Sequence, residues 1–248
     1  MSMRRLLEIA ADGVGSALAA QAGGADRVEL FADLASGGLT PSHATLAVSR
    51  DRVRLPLFVL IRPRAGDFLY GGWEADVMLR DIQHCRALGM DGVVLGALTA
   101  EGDVDAALCR ELVAAAGGLP VTFHRAFDAA RELPEALEAV IGLGCARVLS
   151  SGGHGSAVEG ADVLAGMVQR SAGRIGIIAG AGLAASNIAE VAQRSGCTEL
   201  HASAKALKRS AMQHHNRALS GLVLDHQQSD ATQVAALRAA LDALPDPR

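Results

Sequence analysis

Eight times along this chain, a short apolar stretch is followed by a longer stretch rich in alanine and leucine. The short stretches have the length and branched composition of buried strands, and the long ones have the spacing of amphipathic helices. The strand stretches are Leu6–Ala10, Arg27–Phe31, Leu57–Arg62, Gly92–Ala97, Pro120–Arg125, Arg147–Ser151, Gly176–Gly180 and Glu199–Ser203. The helical stretches lie near residues 13–22, 42–51, 73–88, 105–116, 133–143, 158–171, 186–195 and 230–243.

This alternation predicts a parallel sheet, because parallel strands are joined by crossovers whose helices cover both faces of the sheet. Eight such units in 248 residues predict a (β/α)8 barrel, the TIM-barrel class of α/β folds, formed as a single domain over residues 1–248. A doubly wound open sheet has the same alternation, but it commonly carries a glycine-rich phosphate turn after its first strand. This chain has Glu8-Ile-Ala-Ala-Asp-Gly13 at that place.

Two further patterns mark the ends of the elements. Glycines that precede five of the strands predict helix ends, because glycine readily adopts the left-handed conformation found there. These glycines are Gly23, Gly24, Gly89, Gly117, Gly118, Gly144 and Gly196. Residues 205–229 break the alternation, are rich in histidine and glutamine, and are predicted to form an irregular insertion before the last helix.

Composition excludes two kinds of partner. The formal net charge is -4 and the isoelectric point is about 6.1, so the chain has no basic surface for nucleic acid. It contains no uncharged apolar run of about 18 residues, which argues against a membrane span. The four cysteines, Cys85, Cys109, Cys145 and Cys197, lie far apart and match no zinc-site spacing. They are interpreted as reduced, buried thiols of a cytoplasmic protein.

Polar residues stand at the ends of most predicted strands, where a barrel places its ligand site. They are Glu8, Glu29, Arg62, His124, Arg125, Ser150, Ser151, His201 and Ser203, and the following loops add Asp33, Arg64, Asp67 and Asp128. Any one of them could belong to a structural ion pair. Burying so many ionisable groups together is costly, however, and the whole set predicts a shared polar pocket.

Strand parity predicts which of these side chains share a face. Glu199, His201 and Ser203 lie on one face of the eighth strand, because alternate residues of a strand point the same way. His124 and Arg125 are adjacent, so we expect one to reach the pocket from the strand and the other from the turn.

Glycine loops follow the sixth and seventh strands. Their backbone amides could bind a phosphate or carboxylate, although tight turns explain the same glycines equally well. With the arginines, whose guanidinium groups match such anions, they predict a small anionic ligand. We assign its contacts to Arg62, Arg64, Asp67, Arg125, Ser151, Gly152, Gly180, Gly182 and Ser203.

The segment after the third strand, residues 61–70, joins charged and aromatic residues. Pro63 ends the strand, and Gly66 permits a turn. The segment could form a lid over the pocket, or Phe68 and Tyr70 could pack on the barrel rim.

Several of these stretches together resemble the CutC family, whose members are called copper homeostasis proteins. The matching stretches are residues 7–9, 24–30, 37–42, 61–68, 121–128, 147–152, 179–182 and 199–201. The resemblance implies a cytoplasmic TIM barrel, a homo-oligomer and a role in copper handling. Some members carry cysteines on the first two strands, where this chain has Ala10, Ala11 and Phe31.

Three hypotheses of function follow. The first is copper binding, implied by the resemblance; Cu(I) prefers thiolate or thioether ligands, whereas Glu8, Glu29, His124 and His201 would favour a divalent ion such as Zn, Mn or Mg. The second is an enzyme of lyase or isomerase type acting on a small sugar-like or phosphorylated anion. Glu8 or Glu29 would be its base and His124 or His201 its acid, with Asp128 a further candidate. The third is a non-catalytic module that binds a small ligand.

Overall fold

The structure, a computed structural model, describes residues 4–216, 218 and 223–246. Strands and helices alternate along most of it. The strands are β1 (Leu6–Asp12), β2 (Arg27–Phe31), β3 (Leu57–Leu60), β4 (Gly92–Leu95), β5 (Val121–Phe123), β6 (Arg147–Ser150), β7 (Gly176–Gly180), β8 (Glu199–Ala202), β9 (Lys205–Lys208) and β10 (His226–Ser229). The helices are α1 (Gly13–Ala22), α2 (His43–Arg52), α3 (Gly72–Ala87), α4 (Ala106–Ala116), α5 (Leu133–Gly142), α6 (Ala161–Ser171), α7 (Ile188–Ser195) and α8 (Ala231–Asp242). Two short 3-10 helices cover Leu34–Ser36 and Arg125–Ala129.

Strands β1 to β8 form a closed parallel barrel in sequence order, which confirms the predicted (β/α)8 fold. Closure places β8 beside β1. Glu8 therefore pairs in register with Arg27 on one side and with His201 on the other. Three residues from distant parts of the chain thus meet inside the barrel.

Alternation along each strand separates two apolar clusters. Leu7 and Ile9 of β1 point outward and belong to the large core between barrel and helices. Ala10 points inward and packs in a small cluster with Phe58 and Leu60 of β3. The remaining barrel interior carries mostly polar and charged side chains, and these build the site described below.

Two glycines leave room for large side chains in the barrel interior. A Cβ atom on Gly92 would lie 2.3 Å from the ring of Phe58, and one on Gly176 would lie 3.2 Å from both Arg147 and Glu199. Other glycines end helices as predicted: Gly117 after α4 and Gly196 after α7 are both left-handed.

The segment predicted to be irregular contains the antiparallel pair β9 and β10. Ser229, the last residue of β10, anchors this pair to the barrel. Its amide donates to Ser16 Oγ at 3.1 Å, and its hydroxyl donates to the Ser203 carbonyl at 2.9 Å. Residues 217 and 219–222 of the segment lie outside the described ranges.

All four cysteines are free and buried. Burial raises the pKa of the Cys85, Cys109 and Cys145 thiols to about 12 and that of Cys197 to about 11. They therefore pack as small apolar side chains. Among the described residues, no helix combines the length and apolar character that a membrane crossing requires.

Candidate functional site

A cavity of about 320 Å³ lies at the carboxyl ends of the barrel strands, and we call it the mouth pocket. Its polar lining residues are Glu29, Arg62, His124, Arg125, His201, Ser203 and Lys205. Its apolar lining includes Phe31, Leu34, Leu60, Phe68, Leu149 and Leu183. The pocket thus joins a charged floor to an apolar wall, an arrangement common in sites for small ligands.

A chain of opposite charges leads through the barrel interior to this pocket. Arg147 Nε donates to Glu199 Oε2 at 3.0 Å, and Arg27 Nη2 donates to the same oxygen at 2.7 Å. Arg27 also pairs with Glu8 through its Nε atom. Because the side chains of Arg27 and Glu8 are 3% and 2% exposed, their charges compensate each other almost without water.

His201 extends this chain to the pocket. Its Nδ1 atom lies 2.7 Å from Glu8 Oε1, and its Nε2 atom lies 3.4 Å from Glu29 Oε2. Burial alone would lower the pKa of His201, but the hydrogen bond with Glu8 and the charges of both glutamates outweigh burial and raise it. The ring is therefore held between two carboxyl groups in a state that favours the imidazolium.

The two glutamates have opposite pKa shifts. Burial opposes ionisation of Glu8, but Arg27 and His201 outweigh it and lower the pKa of Glu8 to about 2. Burial raises the pKa of Glu29 to about 7; the charge of His201 opposes this rise, that of Glu8 adds to it, and the charge of Arg27 opposes it more weakly. Glu8 is thus a permanent carboxylate, whereas Glu29 exchanges its proton near neutral pH. Among the described residues, no hydrogen-bond donor other than His201 stands near the Glu29 carboxyl.

His124 differs from His201 in charge. Burial, and next the charge of Arg62, lower the pKa of His124 to about 3, so the ring is neutral. Its Nδ1 atom accepts a hydrogen bond from the Ala126 amide at 3.1 Å, which places the proton on Nε2. The sequence left the acid open between His124 and His201; of these two rings, His201 has a raised pKa and His124 a lowered one.

The Arg62 guanidinium is held in place by hydrogen bonds to the surrounding loops. Its Nη1 atom donates to the carbonyls of Ser36 and Gly38, both at 2.9 Å, and its Nη2 atom donates to Gly66 at 2.8 Å. Its guanidinium lies 5.1 Å from the centre of the Phe68 ring. Arg62 therefore organises the mouth as well as lining it, and only its Nε atom is left without a partner.

The loops after β5 and β6 are joined through Asp128. Its carboxylate accepts hydrogen bonds from the Ser150 hydroxyl at 2.6 Å, the Ser151 amide at 3.0 Å and the Gly153 amide at 3.0 Å. It also pairs with Arg125 Nε at 2.8 Å, while Arg125 Nη2 donates to Ser151 Oγ at 2.9 Å. Asp128 and Ser151 thus position Arg125 at the pocket and do not themselves line it.

Four other predicted contact residues lie outside the pocket lining. Arg64 pairs with Asp67 at 2.8 Å and with Glu74, and it lies over the Tyr70 ring. A Cβ on Gly180 would lie 2.6 Å from Leu149. One on Gly152 would lie 2.6 Å from the Gly160 carbonyl. These glycines permit close packing, whereas Gly182 and Ser203 do line the pocket.

Sequence reasoning missed the supporting charges and one lining residue. Alternate residues of a strand share a face, and this rule places Arg27 with Glu29 on the inner face of β2 and Arg147 with Leu149 on the inner face of β6. The supporting arginines could therefore have been predicted from the sequence. Lys205 was assigned to an irregular segment, so its place at the pocket had no signal of its own.

The donor atoms do not fit Cu(I). Within the described part of the chain, neither cysteine nor methionine lines the mouth pocket, and Cu(I) prefers such sulfur ligands. Glu8, Glu29 and His201 do offer oxygen and nitrogen atoms within 4.8 Å of one another. Of these three residues, Glu8 is already paired with Arg27 and with His201.

The fold and the pocket define the protein as a (β/α)8 barrel with a partly polar cavity at the carboxyl ends of its strands. It belongs to the CutC family, whose model matches residues 5–206. This confirms the resemblance seen in the sequence motifs.

Individual relatives cover nearly the whole chain. A family protein CutC of Chromobacterium violaceum is 51% identical over 245 residues, which are 97% of this chain and 99% of the relative. One from Xanthomonas axonopodis pv. citri is 52% identical, over 95% of this chain and 98% of its own length. The crystal structure of a CutC protein from Streptococcus agalactiae, which bears the name copper homeostasis protein, is similar with a TM-score of 0.77. That protein is 30% identical, and the match covers 80% of this chain and 98% of the other.

Proposed function

We propose that this protein is an enzyme that uses acid–base chemistry on a small oxygenated anion, such as a sugar acid or a sugar phosphate. The contact of 3.4 Å between Glu29 Oε2 and His201 Nε2 in the mouth pocket carries this proposal. A carboxyl group that ionises near neutral pH, beside an imidazolium, is a matched base and acid. Both side chains line the cavity in which a substrate would lie.

The reaction that these groups support is enolisation of a carbon next to a carbonyl group. Glu29, as the carboxylate, takes the proton from that carbon. The electron pair of the C–H bond forms a C=C bond, and the carbonyl π pair moves to oxygen, which takes a proton from His201. Where the carbon that lost its proton carries a hydroxyl group, the intermediate is an enediol. Glu29 then returns its proton to the former carbonyl carbon, the hydroxyl on the other carbon gives its proton to His201 and becomes the new carbonyl, and the product is an isomer formed without any co-reactant.

The rest of the pocket supports an anion. Arg125 and Lys205 bring positive charge to the lining, and Gly182 brings backbone at the end of β7. Arg125 is oriented by Asp128, so its guanidinium is pre-organised and pays little conformational entropy on binding.

Two other functions use the same pocket. Copper handling is attached to the family by name, and the Glu8, Glu29 and His201 cluster would accept a divalent ion more readily than Cu(I). A binding module without catalysis would need the anion-binding residues but not the Glu29–His201 pair. From the family resemblance we also propose that the protein is cytoplasmic and forms a homo-oligomer. Light scattering on the purified protein would test the oligomer.

Deuterium exchange tests the enolisation directly. The protein is incubated in D2O with a panel of small sugars, sugar acids and their phosphates, and proton NMR follows the loss of each C–H signal next to a carbonyl. We expect exchange with at least one compound and none with Glu29→Gln. Exchange that persists in Glu29→Gln would remove Glu29 as the base.

Thermal denaturation separates the enzyme from the copper protein, because a ligand that binds only the folded state raises its melting temperature. We expect stabilisation by anions of the panel. Strong stabilisation by Cu(I), with none by any anion or divalent ion, would overturn the proposal. Stabilisation by an anion without deuterium exchange would favour the binding module.

A further inference from the structure

Three buried polar atoms without a hydrogen bond belong to side chains around one loop at the mouth, residues 62–70. They are Arg62 Nε, His124 Nε2 and the Tyr70 hydroxyl. Arg62 is 6% exposed and His124 is 5% exposed. A buried donor without an acceptor is costly, so a water molecule or a ligand that accepts from these atoms would stabilise the protein.

Both nitrogen atoms are donors. An arginine side chain has no acceptor, and the Ala126 amide occupies the acceptor position at His124 Nδ1, so Nε2 carries the proton of the neutral ring. Neither atom can satisfy the other. The Tyr70 hydroxyl beside Arg62 can accept from that arginine. His124 Nε2 has no acceptor among the described residues, and a ligand oxygen at the mouth could accept from both nitrogen atoms.

The two donors also lie around one aromatic ring. The Phe68 ring is centred 5.1 Å from that of His124 and 5.1 Å from the guanidinium carbon of Arg62. All three side chains line the mouth pocket. Arg62 and His124 thus contact the same ring, and the charge of Arg62 contributes to the lowered pKa of His124.

We propose that Arg62 Nε and His124 Nε2 form an oxyanion site that binds a carboxylate or enolate oxygen of a small 2-hydroxy acid or 2-hydroxy carbonyl compound. The site deepens the proposed function and rests on it for the identity of the reacting compound. The Arg62–His124 pair would bind the oxygen on which charge develops, while Glu29 acts on the neighbouring carbon.

Two replacements of His124 separate its two nitrogen atoms. In His124→Asn, the amide oxygen can still accept from the Ala126 amide, but no donor reaches the place of Nε2. In His124→Gln, a donor reaches that place, but the acceptor for Ala126 is lost. Arg131→Met is a control, because Arg131 is an exposed arginine that pairs with Asp103 outside the pocket lining.

Calorimetry with oxalate and glycolate as probes, and ethylene glycol as the uncharged comparison, tests the site. We expect both carboxylates to bind and ethylene glycol not to bind. His124→Asn should weaken oxalate at least tenfold while keeping the melting temperature. His124→Gln should keep most of the affinity with a lower melting temperature, and Arg131→Met should bind like the unmodified chain. Nitrogen-15 NMR should show a proton on His124 Nε2 whose resonance shifts when oxalate is added.

The proposal is overturned if neither carboxylate binds, if His124→Asn binds oxalate as tightly as the unmodified chain, or if Nε2 carries no proton. Glu29→Gln separates this outcome from failure of the proposed chemistry. That variant should still bind oxalate, since it keeps both donors. If carboxylate binding depends on His124 but the protein exchanges no C–H proton with D2O, the oxyanion site is supported and the proposed enolisation is wrong.

Discussion

The Nε2 atom of His201 lies 3.4 Å from Oε2 of Glu29, and no other donor among the described residues approaches that carboxyl group. The Nδ1 atom of the same ring lies 2.7 Å from Oε1 of Glu8. One imidazole thus separates two buried glutamates, of which one is neutralised by Arg27 and the other is not. This difference in partners, and not the kind of residue, gives the two carboxyl groups their different pKa values.

Glu29→Gln should raise stability above neutral pH. The pKa of Glu29 is about 7 in the folded state and 4.5 as its ordinary value, so the native protein holds a proton that the unfolded chain has lost. Stability therefore falls as pH rises from about 4.5 to about 7. Urea titrations at pH 5 and pH 8 should show a larger fall in the unmodified chain than in the variant, in which only the raised pKa of His201 still contributes a fall of this sign. At pH 8 the variant should be more stable by roughly 1–3 kcal/mol. Equal pH dependence of the two proteins would contradict the assigned shift.

Glu8→Gln should destabilise the protein by roughly 3–5 kcal/mol, because it leaves the Arg27 charge buried with one partner fewer. Glu8 has a lowered pKa, so its contribution is present above its ordinary value of 4.5 and is lost as pH falls towards about 2. The acid limb of the unfolding curve should accordingly become flatter in the variant. Chemical denaturation between pH 2 and pH 7 would measure both effects.

The double variant Glu8→Gln, Arg27→Met should recover much of that loss, since Glu199 keeps Arg147 as its partner. As a control, Asp76→Ala breaks the exposed pair with Arg80 and should change stability little. If the double variant is less stable than Glu8→Gln alone, the loss in Glu8→Gln does not come from the buried Arg27 charge that has lost its partner.

The deuterium exchange rate should follow a bell-shaped pH profile. The rate rises with pH near 7, as Glu29 loses its proton, and falls at higher pH as His201 loses the proton that its raised pKa retains. His124 contributes no limb in this range, because its pKa lies at about 3. A rate that stays constant between pH 5.5 and pH 8.5 would be incompatible with Glu29 as base.

Arg125→Ala should weaken anion binding by about tenfold or more and change the melting temperature little. The Arg125 side chain is 44% exposed, so its removal leaves no buried cavity, and Asp128 keeps its bonds to Ser150, Ser151 and Gly153. Calorimetry with glycolate measures the affinity, and Arg131→Ala is the matched control. Unchanged affinity in Arg125→Ala would place the anion elsewhere in the pocket.

In contrast to Arg125→Ala, Asp128→Ala should mainly reduce stability. It leaves the Ser151 and Gly153 amides without their acceptor and is expected to cost roughly 2–4 kcal/mol of stability. Deuterium exchange measured at low temperature, where the variant stays folded, should decrease only because Arg125 is no longer held in position. A large loss of activity without a loss of stability would instead give Asp128 a direct part in the reaction.

The order of the elements was readable from the chain because each signal is local. The ends of all eight barrel strands were predicted to within two residues. The signals were a short apolar run and, for five of the strands, a preceding glycine, and both depend only on neighbouring positions. The pocket residues Glu29, Arg62, His124 and His201 were found because barrel strands end at a common face. Arg64 and Asp67 satisfied the same rule, yet they pair with each other on the exposed loop.

The sequence by itself determined the eight-unit alternation, the inward parity of each strand and the membership of the family. Only the tertiary structure decided which charges meet. Barrel closure brings β8 against β1, so Glu8 contacts both Arg27 and His201 although 193 residues separate it from His201. Protonation states depend on such contacts and on burial, because the free energy of a buried charge is set by what surrounds it. That is why two glutamates with the same local pattern became a fixed carboxylate and a titrating one.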